Sequence, residues 1–298
     1  MTTEFIALDW GTTSFRAYRS DSTGQVRETI AVPEGILAVQ DGDFERALER
    51  HIAAWDVSLP VMAAGMITSR QGWIELPYLP CPASAADLAR NLHHHRTASG
   101  RRIAFATGLS YRDAAGVPEV MRSEEVQVFG ALDSGLRHFV TPGTHSKWIA
   151  VEGDRILSYA TYVTGEVYAA LKDHTILGRL MQPGPDDEAA FAKGVTAALA
   201  DPAGFLHRIF SARSLGLFGE IAPASIASYL SGQVIGTEVA HAIRSNPTSA
   251  EYVVLASPGI GGRYVKAIEM AGLKVRYGDP HAIVKGLAII ARQAGIVS

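Results

Sequence analysis

Apolar positions recur along this chain with two periods. Phe5–Leu8 is a continuous apolar run, Phe15-Arg16-Ala17-Tyr18 alternates, and a Ser22-Thr23-Gly24 turn leads into Val26–Val32. Together they predict three antiparallel strands joined by tight turns. Phe44, Leu48, Ile52 and Trp55 then fall on one face of a helix over 44–55. Val61–Ala64 and Ile103–Ala106 read as buried strands, and 121–132 as a helix starting at Met121. The second half repeats the order. His138–Val140, Lys147–Val151 and Ile156–Val163 predict strands, and helices follow over 166–177, 188–200 and 226–243. Next come a strand at 252–256, a helix at 264–270, a strand at 273–276 and a closing helix at 281–293. A mixed-sheet α/β domain made twice, with a cleft between the copies, accounts for this order. The boundary is expected near residue 135, giving domains 1–135 and 136–298. Gly232 and Gly236, four apart on a helix with polar flanks, predict close helix packing.

Composition narrows the class. With 298 residues, 47% hydrophobic and 19% charged, the chain can bury a large core. A formal charge of −3 supplies no basic face, so a nucleic-acid partner is not expected. The single cysteine, Cys81, cannot form an internal disulfide, and that suits a reducing compartment. The Met1-Thr2-Thr3-Glu4 start has no basic segment or long apolar run, and no later apolar stretch reaches membrane-spanning length. A cytoplasmic protein without a membrane partner is expected; the sequence leaves a homodimer open. His93-His94-His95 has no spaced metal-ligand partners and reads as a polar surface connection.

Candidate chemistry begins where the first strand ends. Asp9-Trp10-Gly11-Thr12-Thr13 places a carboxylate before a small hydroxyl-rich turn. Gly11 permits positive φ and close phosphate approach, while the Thr12 and Thr13 hydroxyls and turn amides can donate to phosphate oxygens. Asp9 can hold Mg²⁺ through water, and Arg16 on the returning strand can add a charge-assisted contact. An ordinary hairpin is the plainer explanation of the same residues.

Residues 5–16 resemble the first phosphate motif of the actin, chaperone-ATPase and sugar-kinase superfamily. Four further blocks resemble one family, the 2-dehydro-3-deoxygalactonokinases: Ala64-Gly65-Met66-Ile67-Thr68-Ser69-Arg70-Gln71-Gly72-Trp73, Met121–Gly130, Pro142-Gly143-Thr144-His145-Ser146-Lys147-Trp148 and Thr164-Gly165-Glu166. The resemblance implies two ribonuclease-H-like (actin-like ATPase) domains with mixed sheets flanking a central cleft. It also implies transfer of the ATP γ-phosphate, with Mg²⁺, to the 6-hydroxyl of 2-dehydro-3-deoxy-D-galactonate, a small sugar-acid substrate.

Glu124 and Glu125 occupy helical positions where periodicity calls for apolar residues, so their carboxylates need a cleft, a cation or a donor. Glu124 is the expected base and Glu125 the alternative, the pair being similar to the Glu-Glu segment of exopolyphosphatases. A plainer account has first-turn acids complementing the helix dipole with Ser123 as cap. Ser123 stands where the resemblance predicts glycine. Thr141-Pro142-Gly143-Thr144 takes the place of a second phosphate loop, with Thr141 replacing the usual Asp. That leaves the metal to Asp9, with a Glu as a second candidate, while Gly143 and Thr144 wrap phosphate and Lys147 neutralises charge. An anionic substrate calls for arginine. Arg70 is the first candidate, ahead of Arg122 and Arg16. Trp73 belongs to the same wall but is expected to pack rather than stack on substrate. Thr164 and Glu166, at the end of a strand, can meet substrate hydroxyls. Gly259, Gly261 and Gly262 form a Gly-rich turn that can receive adenosine. Two other readings use the same fold: a phosphohydrolase in which Glu124 orients water, and a non-catalytic nucleotide switch.

Overall fold

The computed structural model describes residues 3–298. Two compact units divide the chain. One comprises residues up to Arg137 with Ile149–Ala160 and Asp279–Ser298, and the other comprises His138–Trp148 with Thr161–Gly278.

In the first unit, β1 (Glu4–Trp10), β2 (Phe15–Asp21) and β3 (Val26–Val32) form the expected antiparallel meander. α1 (Phe44–Ile52) follows, capped by Asp43, whose side chain accepts from the Arg46 amide. Its Phe44, Leu48 and Ile52 bury with Trp55 against Trp10 and Phe15, the face that the spacing predicted. β4 (Val61–Ala64) pairs parallel with β1. Then come β5 (Leu79–Pro80), β6 (Ala83–Ser84), α2 (Ala85–Arg90), β7 (His93–Arg96), β8 (Arg102–Phe105), β9 (Leu109–Arg112), β10 (Pro118–Met121) and α3 (Glu124–Ala131). The main sheet runs β3-β2-β1-β4-β8-β7, and β10-β9-β5 form a small second sheet.

Two expectations change here. The histidine run is edge strand β7 rather than a connection, antiparallel to β8. Its mostly exposed polar side chains suit an edge that must not recruit another strand. The helix starts at Glu124, not Met121, because Met121 pairs with Leu109 of β9 and carries the strand's apolar face into the core.

The second unit holds β11 (His138–Thr141), parts of β12 (Ser146–Glu152) and β13 (Arg155–Tyr162), and α4 (Thr164–His174), α5 (Glu188–Ala200), α6 (Phe205–Arg208), α7 (Ser211–Leu217), α8 (Ile226–Ala242), β14 (Glu251–Val254), α9 (Pro258–Met270) and β15 (Lys274–Tyr277). The strand order β13-β12-β11-β14-β15 repeats β3-β2-β1-β4-β8. β14 is parallel to both β11 and β15, as β4 is to β1 and β8. The duplicated order predicted from sequence is therefore present at the level of strand topology. α5 and α8 pack backbone to backbone: a Cβ at Gly232 would overlap the Phe191 carbonyl, and one at Gly236 would crowd Val195. α9 begins at Pro258, six residues before the predicted start, since Pro at the first helical turn needs no amide partner.

The closing helix, α10 (Ala282–Gln293), returns to the first unit and packs on α3. Glycine makes this crossing: a Cβ at Gly130 would overlap the Ala282 carbonyl, and one at Gly286 the Val126 carbonyl. α10 in turn touches β1, β2 and β4 of the first sheet. Among the described residues, no helix is long and apolar enough to cross a membrane.

Candidate active site

Asp9 sits at the end of β1, directly opposite Arg16 in the β1–β2 register. Arg16 Nη1 lies 3.6 Å from Asp9 Oδ2, and the Ser123 hydroxyl donates to Oδ1 at 3.0 Å. The Asp9 side chain keeps 15% exposure. Burial pushes its carboxyl up, opposed by the Arg16 charge and the Ser123 hydrogen bond. Beyond it, the Gly11 amide donates to the Ser14 carbonyl, and the Gly11 carbonyl accepts from the Ile36 amide. That leaves the Thr12 and Thr13 side chains exposed on the turn. Gly11 does not use the positive φ that glycine permits, and a Cβ there would make only ordinary contact with Ser14.

The turn before α3 brings both acids back on their own backbone. The Arg122 amide donates to Glu124 Oε2 at 2.9 Å, and the Ser123 amide donates to Glu125 Oε1 at 3.0 Å. Ser123 does not act as the side-chain cap considered from sequence, because its hydroxyl is on Asp9. Glu124 is half-buried, whereas Glu125 is 1% exposed with Oε2 unpartnered. Burial, and then the neighbouring Glu124 charge, push the Glu125 carboxyl up to about 8.

Arg122 is no free substrate clamp. Its Nη1 donates to Thr68 Oγ1 at 2.8 Å, its Nη2 to the Leu76 carbonyl at 2.6 Å, and its guanidinium lies 4.0 Å over the Tyr78 ring. It ties the 68–78 loop to the turn carrying the two acids. Arg70 is exposed at that loop's start. Trp73 is half-buried, stacked on Phe44 and edge-on to Phe105 and His95.

In the second unit, Gly143 and Thr144 are exposed in the loop between β11 and β12. A Cβ at Gly165 would overlap the Gly143 carbonyl, and the Glu166 amide donates to the Thr144 carbonyl. Thr164 and Glu166 thus open helix α4 instead of closing a strand, and both support this loop. The Thr164 hydroxyl is committed to Glu238, and Glu166 pairs with His145 at 2.7 Å. Lys147 is buried, its ammonium donating to the His145 carbonyl at 3.2 Å. Thr141 is buried with an unpartnered hydroxyl.

Behind the loop, Glu238 of α8 accepts four hydrogen bonds while 3% exposed. The donors are Ser146 Oγ at 2.5 Å, Trp148 Nε1 at 2.8 Å, Tyr264 OH at 2.5 Å and Thr164 Oγ1. Burial pushes its carboxyl up, and the donors act against that. The sequence reading missed this hub. Its signal was a lone acid in the apolar and small-residue run of α8. Gly259 and Gly262 lie in the first turns of α9 and line a cavity of about 350 Å³ with Phe191, Arg263 and Lys266. Gly261 is turned away, packed against Tyr277.

A family model for 2-keto-3-deoxy-galactonokinase matches residues 9–290. A 2-dehydro-3-deoxygalactonokinase from Escherichia coli (strain K12) is 31% identical over 283 residues, covering 92% of each chain. A crystal structure from Sinorhizobium meliloti, assigned to 2-dehydro-3-deoxygalactonokinase, superposes with a TM-score of 0.88 at 34% identity, covering 97% of this chain and 96% of that one. A ligand-bound xylulose kinase from Lactobacillus acidophilus, 7% identical, shares the fold with a TM-score of 0.51 over 99% of this chain and 90% of its own. The chain belongs to the 2-keto-3-deoxy-galactonokinase family of carbohydrate kinases.

Proposed function

We propose that this protein transfers the γ-phosphate of ATP to the 6-hydroxyl of 2-dehydro-3-deoxy-D-galactonate in galactonate catabolism. The observation that carries the reading is the grouping of Asp9, Ser123, Glu124 and Glu125 at the foot of the hydroxyl-bearing 11–14 turn. Phosphoryl transfer asks a protein for positioning and charge stabilisation, with a base near the acceptor hydroxyl. Glu124 is that base, since it is the less buried acid of the pair. Glu125 shapes the turn through the Ser123 amide. Thr12 and Thr13 hold phosphate oxygens with Arg16 beside them. In the second unit, Gly143, Thr144 and Lys147 form a further phosphate loop, and the Gly259–Gly262 cavity takes adenosine. Arg70 meets the substrate carboxylate.

The residues fit magnesium. Among the described residues no three His, Cys, Asp or Glu gather into a cage, and Asp9 is a single partly exposed carboxylate. Mg²⁺ prefers that set because it keeps waters and phosphate oxygens as its other ligands. When bound, it neutralises charge on the phosphates during transfer.

The test is an ADP-release assay over 2-keto-3-deoxy sugar acids and their parent sugars. Release that depends on the galactonate-derived acid is expected. Phosphate release from ATP at the same rate without any sugar acid overturns the reading in favour of a hydrolase.

A further inference from the structure

Ser123 stands at φ 95°, ψ −34°. The other described non-glycine residue at positive φ is Asp41, in a loop. An L-residue in this region carries a Cβ penalty that glycine escapes. The turn itself needs the conformation. With φ positive, the Ser123 amide reaches Glu125 Oε1 and the Ser123 carbonyl accepts from the Gln127 amide at 3.1 Å. Glycine would make both backbone bonds without strain. What glycine could not supply is the hydroxyl, which spans a sequence separation of 114 residues to reach Asp9 Oδ1.

We propose that Ser123 is a positioning residue for Asp9, kept at a strained backbone position because its hydroxyl fixes the orientation of that carboxylate. Arg16 and Ser123 both tether the Asp9 side chain. Arg16 lies on Oδ2 at 3.6 Å and is itself 46% exposed, so it is a loose, solvent-screened one. Ser123 is 8% exposed, and its bond to a carboxylate is charge-assisted. Removing the hydroxyl frees Asp9 to rotate about its side-chain torsions. The magnesium–nucleotide complex then bears the cost of ordering it. The inference rests on the role of Asp9 proposed above.

Comparing Ser123→Gly with Ser123→Ala separates strain from hydroxyl. Both lack the oxygen, but only the glycine variant relieves the backbone. Measured without nucleotide, Ser123→Gly is expected to melt roughly 2–4 °C above Ser123→Ala. Calorimetric titration with ADP across a magnesium series is expected to show both variants needing roughly tenfold more magnesium for half-maximal binding than wild type. Ser123→Thr, which restores a hydroxyl, is expected to recover most of that dependence at a lower melting temperature. A glycine variant that binds Mg·ADP like wild type while the alanine variant does not would assign the effect to backbone strain and overturn the inference. Wild-type dependence in both variants would also overturn it, leaving the kinase reading intact. A wild-type protein without magnesium-dependent ADP binding overturns both.

Discussion

Glu125 is a buried acid whose folded-state carboxyl lies near 8 against an ordinary value of 4.5. Between those pH values the unfolded chain has released this proton and the native protein still holds it. Native stability therefore falls as pH rises through the window. Each pH unit costs about 1.4 kcal/mol, so the window of roughly 3.5 units amounts to at most about 5 kcal/mol by pH 8. Glu125→Gln keeps the shape and an oxygen to accept from the Ser123 amide, but carries no titrating proton. Urea denaturation of both proteins from pH 5 to 9 measures the difference. The two are expected to be close at pH 5, with the glutamine variant more stable by several kcal/mol at pH 8.5. Asp9 and Glu238, also raised by burial, titrate in both proteins and cancel in the comparison. Parallel stability curves would show that Glu125 does not hold a proton in the native state. A wild type that gains on the variant as pH rises would show that the native fold prefers the ionised acid.

Other outcomes test separate parts of the account. Glu124→Gln is expected to lower sugar-dependent ADP release by roughly 10²–10⁴-fold while melting temperature and ADP binding stay near wild type, read by a coupled assay and calorimetry. Glu238→Ala strips the acceptor from four buried donors and is expected to cost about 3–5 kcal/mol in urea denaturation; Glu238→Gln, which keeps one acceptor oxygen, is expected to cost less. Gly286→Ala forces a methyl group onto the Val126 carbonyl and is expected to cost about 1–3 kcal/mol, seen as a lower melting temperature.

Much of the scaffold was legible because its signals are local. The 44–55 spacing named the buried face of α1, and the run from Phe5 marked a strand buried on both faces. Gly232 and Gly236 foretold the α5–α8 crossing. The resemblance also flagged Ser123 as a departure from glycine, at the position where the backbone proves to need positive φ. Periodicity failed where a residue's state depends on a distant neighbour. Met121 matches a helix pattern but belongs to a strand, because Leu109 offers it a partner. His93–Arg96 looks like a polar loop until β8 gives its backbone hydrogen-bonding groups a ladder.

The sequence by itself determined the duplicated order of the main strands and helices and the residue types able to hold phosphate. Tertiary structure alone decided what each polar side chain does. Arg122 became a strut, Trp73 a core ring, and Thr164 a donor to Glu238. The physical reason is that burying an apolar face needs only the right spacing along one element. A buried polar group needs a particular partner at hydrogen-bond distance, and here the partners come from elements far apart in the chain, as Ser123 and Asp9 do.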